Sequence, residues 1–244
     1  MSNESEVSKL LLVGDNIKSI NAAWSFSGDV AKNFDSHVCK SVPLYAEGHN
    51  LILKFSEFFL SDESVCYDIG CSTGALLYSL YTKNAGKNVT YIGLDNEEDM
   101  INVASEKYNI ECIKYMHANI INEELRKSDL IISYYTLQFI LPKYRQAIFD
   151  KIYDALNWGG AFIFFEKIRA PDARFQDILN QIYMEYKVEN SYTPEEIFNK
   201  SKSLKGVLEP FSENANIEFL QRAGFKDYMS IAKYLCFEGF VAIK

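Results

Sequence analysis

The stretch Val65-Cys-Tyr-Asp-Ile-Gly-Cys-Ser-Thr-Gly-Ala-Leu-Leu77 decides how the chain is read. Its first five residues have the apolar, β-prone character of a short buried strand, the next five are small, and Ala75 opens a helical pattern to about residue 81. A small-residue turn between a strand and a helix aims backbone N–H groups and the helix N-terminus at one place, which suits a nucleotide. Gly70 is expected to turn the chain sharply with its backbone against a ligand, and Gly74 to let the helix begin close to the strand. Cys71 and Ser72 lie between them, and Ser72 stands where a D-x-G-x-G-x-G loop often has its middle glycine, small enough to admit a ligand. Asp68, at the strand's end, is an acceptor suited to a cationic amino group. The spacing is neither the G-x-G-x-x-G of nicotinamide binders nor the G-K-[ST] of nucleoside triphosphate loops.

Working outward, residues 89–94 read as a second strand ending in Asp95-Asn96, where a carboxylate can accept both hydroxyls of a ribose. A helix over 97–108, strands at 112–117 and 130–133, an amphipathic helix over 143–156 stopped at Gly159-Gly160, and the apolar run 161–165 continue the alternation. Strands alternating with helices require right-handed crossovers, so the fold class is α/β with a doubly wound, mainly parallel sheet. Residues 171–210 interrupt the rhythm with helical stretches at 172–186 and 194–208, read as a helical cap. A helix over 214–223 and a hairpin from 231–237 and 239–243, turning at Glu238-Gly239, bring the sheet to seven strands. Upstream, residues 1–60 read as an N-terminal helical arm and cap: an arm or short helix over 1–20, then two helices broken at Pro43. Residues 61–244 then form one α/β domain carrying the insertion.

Composition narrows the function. A net charge of −8 and a pI near 5.0 argue against direct nucleic-acid binding, which draws its affinity from Lys and Arg, and favour a small-molecule substrate. The five cysteines are scattered without a C-x-x-C pair, so neither a disulfide framework nor a metal site is expected. No apolar run has the length to span a bilayer, and the N-terminal residues lack the pattern of a secretory signal, so the expected location is cytoplasmic. Aromatic residues make up 14% of the chain and must sit in a core, a pocket or a subunit contact.

The loop, the acid-tipped second strand, Gly159-Gly160 before the fifth strand and the terminal hairpin together resemble the S-adenosylmethionine-dependent methyltransferase superfamily. The resemblance implies a methyltransferase-type Rossmann-like fold and S-adenosylmethionine as cofactor, with Gly70, Cys71 and Ser72 along its methionine and ribose, Asp95 and Asn96 at the ribose, and Asn119-Ile120 at the adenine. From about Trp24 onward the chain is similar to the carboxy-S-adenosylmethionine synthases of bacterial wobble-uridine modification. Val30-Ala31, Ser41-Val-Pro-Leu-Tyr45, Asp68 to Ser72, Asp95-Asn96, Thr136-Leu-Gln-Phe139, Lys151-Ile-Tyr153, Glu166-Lys167 and Ala223-Gly-Phe225 carry that likeness. It implies carboxy-S-adenosylmethionine as an alternative cofactor, prephenate as carboxyl donor, Tyr45 as a ligand contact and a homodimer.

Three positions depart from that family. Ser201, beside Lys200 and Lys202, falls where the family has an Arg holding the extra carboxylate; Tyr134 replaces an Asn near the sulfonium, and Asn119 an Asp near adenine. Catalytic candidates are Tyr45, Tyr134 and Glu166, the last at the carboxyl edge of the fifth strand. Substrate candidates are His49, Ser201 and Lys202, while Lys200–Lys205 reads as a solvated face and Tyr183, Tyr186 and Tyr192 as helix packing. The expected activity is methyl transfer to a small acceptor, with carboxyl transfer from prephenate or non-catalytic cofactor binding as alternatives.

Overall fold

A computed structural model describes residues 11–15, 17–20 and 22–244. Residues 1–10, half of the expected arm, lie outside the described residues. Where a short helix was expected next, β1 (Leu11–Leu12) and β2 (Lys18–Ser19) pair antiparallel. The reason is local: Gly14 and Asp15 both take left-handed conformations, which reverse the chain instead of extending a helix.

The two helices expected before residue 60 are α1 (Asp29–Ser41) and α2 (Tyr45–Phe59), and Pro43 lies in the break between them. The alternation then runs β3 (Val65–Ile69), α3 (Ala75–Lys83), β4 (Thr90–Asp95), α4 (Glu98–Lys107), β5 (Ile113–His117), β6 (Ser128–Tyr134), α5 (Pro142–Ala155) and β7 (Leu156–Lys167). The cap is α6 (Ala173–Glu189) and α7 (Pro194–Ser203); α8 (Glu213–Ala223), β8 (Asp227–Tyr234) and β9 (Phe237–Ile243) complete the described chain. Side chains fix several helix starts: Asp172 caps α6, Thr193 and Glu196 form a reciprocal capping box on α7, and Ser212 caps α8.

The main sheet has the order β5-β4-β3-β6-β7-β9-β8, parallel through β7 and antiparallel at β9 and β8. The doubly wound, mainly parallel seven-stranded sheet is thus as expected. One core, holding Tyr67, Phe149, Phe162, Phe219 and Phe225, packs α5 and α8 on one face, and another, holding Ile52, Leu76, Leu77 and Leu80, packs α2 and α3 on the other. A third cluster of Val13, Ile17, Trp24, Val30 and Met100 binds the N-terminal segment to α4.

Two details differ from the sequence reading. The hairpin turns at Leu235-Cys236, and Gly239 lies inside β9. There a Cβ would meet the Phe165 ring at 2.3 Å, so the glycine serves close packing and no turn. The second is at Gly159-Gly160: β7 already begins at Leu156, and the register with β6 shifts before Ala161.

Candidate functional site

The strand order reverses beside β3, and at the carboxyl ends of β3, β4 and β6 a cavity of about 380 Å³ opens under the N-terminal segment and the cap. A smaller one of about 230 Å³ adjoins it and shares Tyr45, Gly70, Ser72 and Tyr134.

The nucleotide loop wraps around the end of β4. The N–H groups of Gly70 and Cys71 both donate to the Leu94 carbonyl, at 2.7 and 3.0 Å, and the Ser72 N–H donates to Asp95 Oδ2 at 2.9 Å. Asp95 Oδ1 accepts from the Glu97 N–H at 3.0 Å, so backbone donors fix the carboxylate while its remaining lone pairs face the cavity. Ser72 adopts φ 48°, a left-handed conformation usually left to glycine or asparagine, held by this bond to Asp95. Asn96, Asn119 and Ile120 line the same end of the cavity. The Asn119 side chain accepts from the Ile121 N–H at 3.0 Å. The loop they form is pinned from below by Lys151, whose ammonium donates to the carbonyls of Ile120, Ile121 and Glu123 at 2.7, 3.0 and 2.6 Å.

Gly70 turns the chain at φ 78° and lines both cavities, as expected, and a Cβ there would strike Thr136 Oγ1 at 2.1 Å, so the side that lacks one is filled by a side chain following β6. Gly74 lines neither cavity; it starts α3 in a left-handed conformation, with the Tyr115 hydroxyl where a Cβ would stand.

Asp68 and Cys71 line the smaller cavity. Asp68 is 2% exposed and its Oδ1 has no hydrogen-bond partner; burial first, and the Asp95 carboxylate second, raise its pKa to about 7. A ligand ammonium would satisfy that orphaned oxygen, so the donor set fits an amino acid group at Asp68 and a ribose at Asp95.

Tyr45, His49 and Tyr134 meet at ring-centroid distances of 4.7 to 4.9 Å, and Tyr135 stacks 6.2 Å from Tyr45. The Tyr134 hydroxyl donates to the Tyr45 carbonyl at 2.7 Å, and Gly48 makes room for it, since a Cβ there would lie 2.1 Å from that oxygen. Burial pushes the Tyr45 and Tyr134 phenols far above their ordinary values, so both are neutral walls and not bases. His49 is pushed down to about 4 by burial and is likewise neutral.

Three expected site residues are corrected. Glu166 is outside the cavity: it is buried with its carboxylate toward Arg145 and the Leu137–Gln138 backbone, and its Oε1 has no hydrogen-bond partner. Successive residues of a strand point to opposite faces, so Lys167, the next residue, is the one in the cavity. Ser201 and Lys202 are exposed on α7, whereas Lys200 is buried and lines the cavity, one residue making the difference of about 100° around a helix. Tyr183, read as packing, also lines it, as do Trp24, Phe26, Phe139 and Phe237. Phe139 ends the Thr136–Phe139 stretch that carries the family likeness, and the unplaced aromatic content of the sequence was the signal for the others.

Among known proteins, residues 67–162 match the family model described as a methyltransferase domain. The carboxy-S-adenosyl-L-methionine synthase of Staphylococcus epidermidis is 37% identical over 222 residues, covering 91% of this chain and 97% of that protein. The enzyme of that name from Campylobacter lari is 36% identical over 229 residues, covering 93% and 97%. In architecture the chain is similar to human N-acetylserotonin methyltransferase, with TM-score 0.57 and 16% identity, covering 82% of this chain and 52%, about half, of that one. The fold agrees with methyltransferases, and the sequence likeness reaches nearly end to end in the synthases.

Proposed function

Since the chain belongs to the carboxy-S-adenosyl-L-methionine synthase family, we propose that it carboxylates the sulfonium methyl of S-adenosylmethionine with prephenate as carboxyl donor. It is an S-adenosylmethionine-dependent transferase of methyltransferase fold. Bound S-adenosylmethionine supplies an activated methyl group on a cationic sulfur. Asp95 and the Ser72 turn hold the ribose, Asp68 takes the amino group, and the Asn119-Ile120 loop takes the adenine. The rings of Tyr45, Tyr134 and Tyr135 offer π faces to the cationic sulfur and exclude water around it.

The observation that carries the carboxyl reading is Lys200, 7% exposed and lining the cavity. Ser201 in place of an anion-gripping Arg points to simple methyl transfer, but a buried cation on the same helix can take the role of that Arg. Methyl acceptors that are neutral gain nothing from such a charge. Carboxylation breaks a C–H bond of the sulfonium methyl and, in prephenate, the bonds from the ring to its carboxyl and hydroxyl groups: the carboxyl carbon passes to the methyl carbon, the hydroxyl leaves with the methyl proton as water, and the ring leaves as phenylpyruvate, so the donor must face the sulfonium.

The test is direct. Incubation with S-adenosylmethionine and prephenate is expected to yield the carboxylated sulfonium by mass spectrometry, and Asp95→Ala is expected to weaken S-adenosylmethionine by about 1–3 kcal/mol in calorimetry. Tight S-adenosylmethionine binding with no carboxylated product leaves methyl transfer or non-catalytic binding as the function.

The proposal extends to a homodimer acting in the cytoplasm. On α6, Phe175, Ile178 and Ile182 are 39 to 49% exposed along one helical face, an apolar stripe suited to a second copy. No described helix is long and apolar enough to cross a membrane. Light scattering is expected to give twice the 28.0 kDa chain mass, and a single-chain mass at micromolar concentration removes the dimer.

A further inference from the structure

The end of the cavity away from the adenine loop gathers positive charge without neutralising it. Lys167 lines the cavity from the end of β7, as does Lys200, 7% exposed on α7, while Lys187, 7% exposed on α6, lies outside the lining. The ammonium groups of Lys167 and Lys187 each lie 4.4 Å from the centroid of the same Tyr183 ring. Tyr183 donates its hydroxyl to the Ser41 carbonyl at 2.8 Å, while Lys200 donates to Ser41 Oγ at 2.9 Å, which ties the third cation to the first two. Among the described residues none of the three forms an ion pair, and Lys167 and Lys187 have no side-chain hydrogen bond.

Lys200 is also oriented. Asp15 Oδ2 holds His37 Nδ1 at 2.7 Å, leaving His37 Nε2 to accept from the Lys200 ammonium at 2.5 Å. With one proton on His37 and another on Ser41, the third is left for the cavity. Burial lowers the affinity of all three lysines for their protons, and repulsion adds to it, from Lys205 and Arg169 at Lys167, from Lys167 at Lys187, and from Lys187 and Lys167 at Lys200. Buried cations without an anion destabilise a fold, and the ring faces under the three ammonium groups and the His37 and Ser41 contacts of Lys200 bring no negative charge to offset them.

S-adenosylmethionine does not supply the missing charge. It brings a single carboxylate along with two cationic groups, and its ammonium is already matched by Asp68. We propose that Lys167 and Lys200, which line the cavity, are the binding site for a dicarboxylate held beside S-adenosylmethionine, with Lys187 adding its charge from the same Tyr183 ring that Lys167 rests on. The rings of Tyr135 and Phe237, centroids 5.8 Å apart, give the ligand an apolar wall, so its body between the carboxylates is apolar. The assignment rests on the reading of the cavity under the preceding heading and deepens it by naming the residues that hold the donor.

The probe is phenylsuccinate, a dicarboxylate with an apolar ring, titrated calorimetrically into protein saturated with S-adenosylmethionine, with its monomethyl ester as control. The dianion is expected to bind at least about tenfold more tightly than the ester, and Lys167→Met to lose about tenfold while S-adenosylmethionine affinity stays unchanged. Lys187→Met is expected to weaken phenylsuccinate too, yet to raise the Tm of the ligand-free protein, the opposite of what a structural lysine would do. Equal binding of dianion and ester, or wild-type affinity in Lys167→Met, overturns the assignment. If S-adenosylmethionine itself fails to bind, the cofactor reading falls, and titration of the cofactor-free protein still decides the lysines by the same comparison.

Discussion

At pH 8, Asp68→Asn is expected to raise the Tm of the ligand-free protein by about 5–10 °C while weakening S-adenosylmethionine about a hundredfold. Asp68 has its pKa raised by burial, and by the nearby Asp95, to about 7 from an ordinary 3.8. The sign follows from the upward shift: the folded state holds its proton more tightly than the unfolded chain. Stability is therefore full below about pH 4 and is lost as pH rises to 7, by a few kcal/mol in all. Asparagine removes that loss and with it the negative charge awaiting an ammonium. The gain should shrink to a small remainder at pH 4, where Asp68 is protonated in the folded state and about half protonated in the unfolded chain. Thermal melts of the two proteins at pH 4 and pH 8 check this, and an equal or lower Tm for the variant at pH 8 would falsify the assignment of an unpaired buried carboxylate.

Gly70→Ala is expected to cost about 3–5 kcal/mol of stability, read by denaturant unfolding. Two causes combine. Gly70 sits at φ 78°, and an added Cβ would fall 2.1, 2.4 and 2.7 Å from Thr136 Oγ1, Cγ2 and Cβ. They separate in a double variant: Thr136→Gly clears the clash and leaves about 1 kcal/mol of backbone strain. If the double variant is no more stable than Gly70→Ala alone, Thr136 is not what fills the space.

The same pair of residues illustrates what a sequence makes legible. The strand, turn, helix and acid between Val65 and Asp95 are local, and each lands where its pattern predicts, including Asp95 on the turn it was paired with. The purpose of Gly70 is not local: it depends on Thr136, which reaches the loop only because β6 lies next to β3. Gly239 misleads in the same way, since a turn and a close approach both call for glycine, and only the antiparallel pairing of β9 with β7 brings Phe165 over it.

In the candidate site, most residues that the sequence groups at the nucleotide loop and at Asp95 fall together around the two cavities, whereas those assigned to the cap do not. Lys200 and Ser201 are neighbours in sequence, but the rotation of α7 over the cavity is set by Ile197 and Ser203, both buried, so the choice between them waits on packing. Glu166 and Lys167 fall under the same rule along a strand. The cap helices carry no motif at all; Tyr183 and Lys187 acquire meaning because α6 and α7 fold back over the end of β7, bringing positions far apart in the chain around one ring.

The position of β9 bears on how the molecule is made. It emerges from the ribosome after every other described strand, yet it occupies an inner place, hydrogen-bonded to β7 on one side and β8 on the other. Until it inserts, β7 is an open edge with Phe162 and Phe164 along it, and the nascent chain has a half-built sheet to keep from pairing with its neighbours. Insertion joins segments distant in sequence, a slow class of step, and Lys167 reaches its final surroundings only when Phe237 arrives beside it. The cationic end of the cavity is thus assembled last, after the nucleotide loop whose contacts are local, so a chain clipped within β9 would retain the loop and lack the anion-binding end.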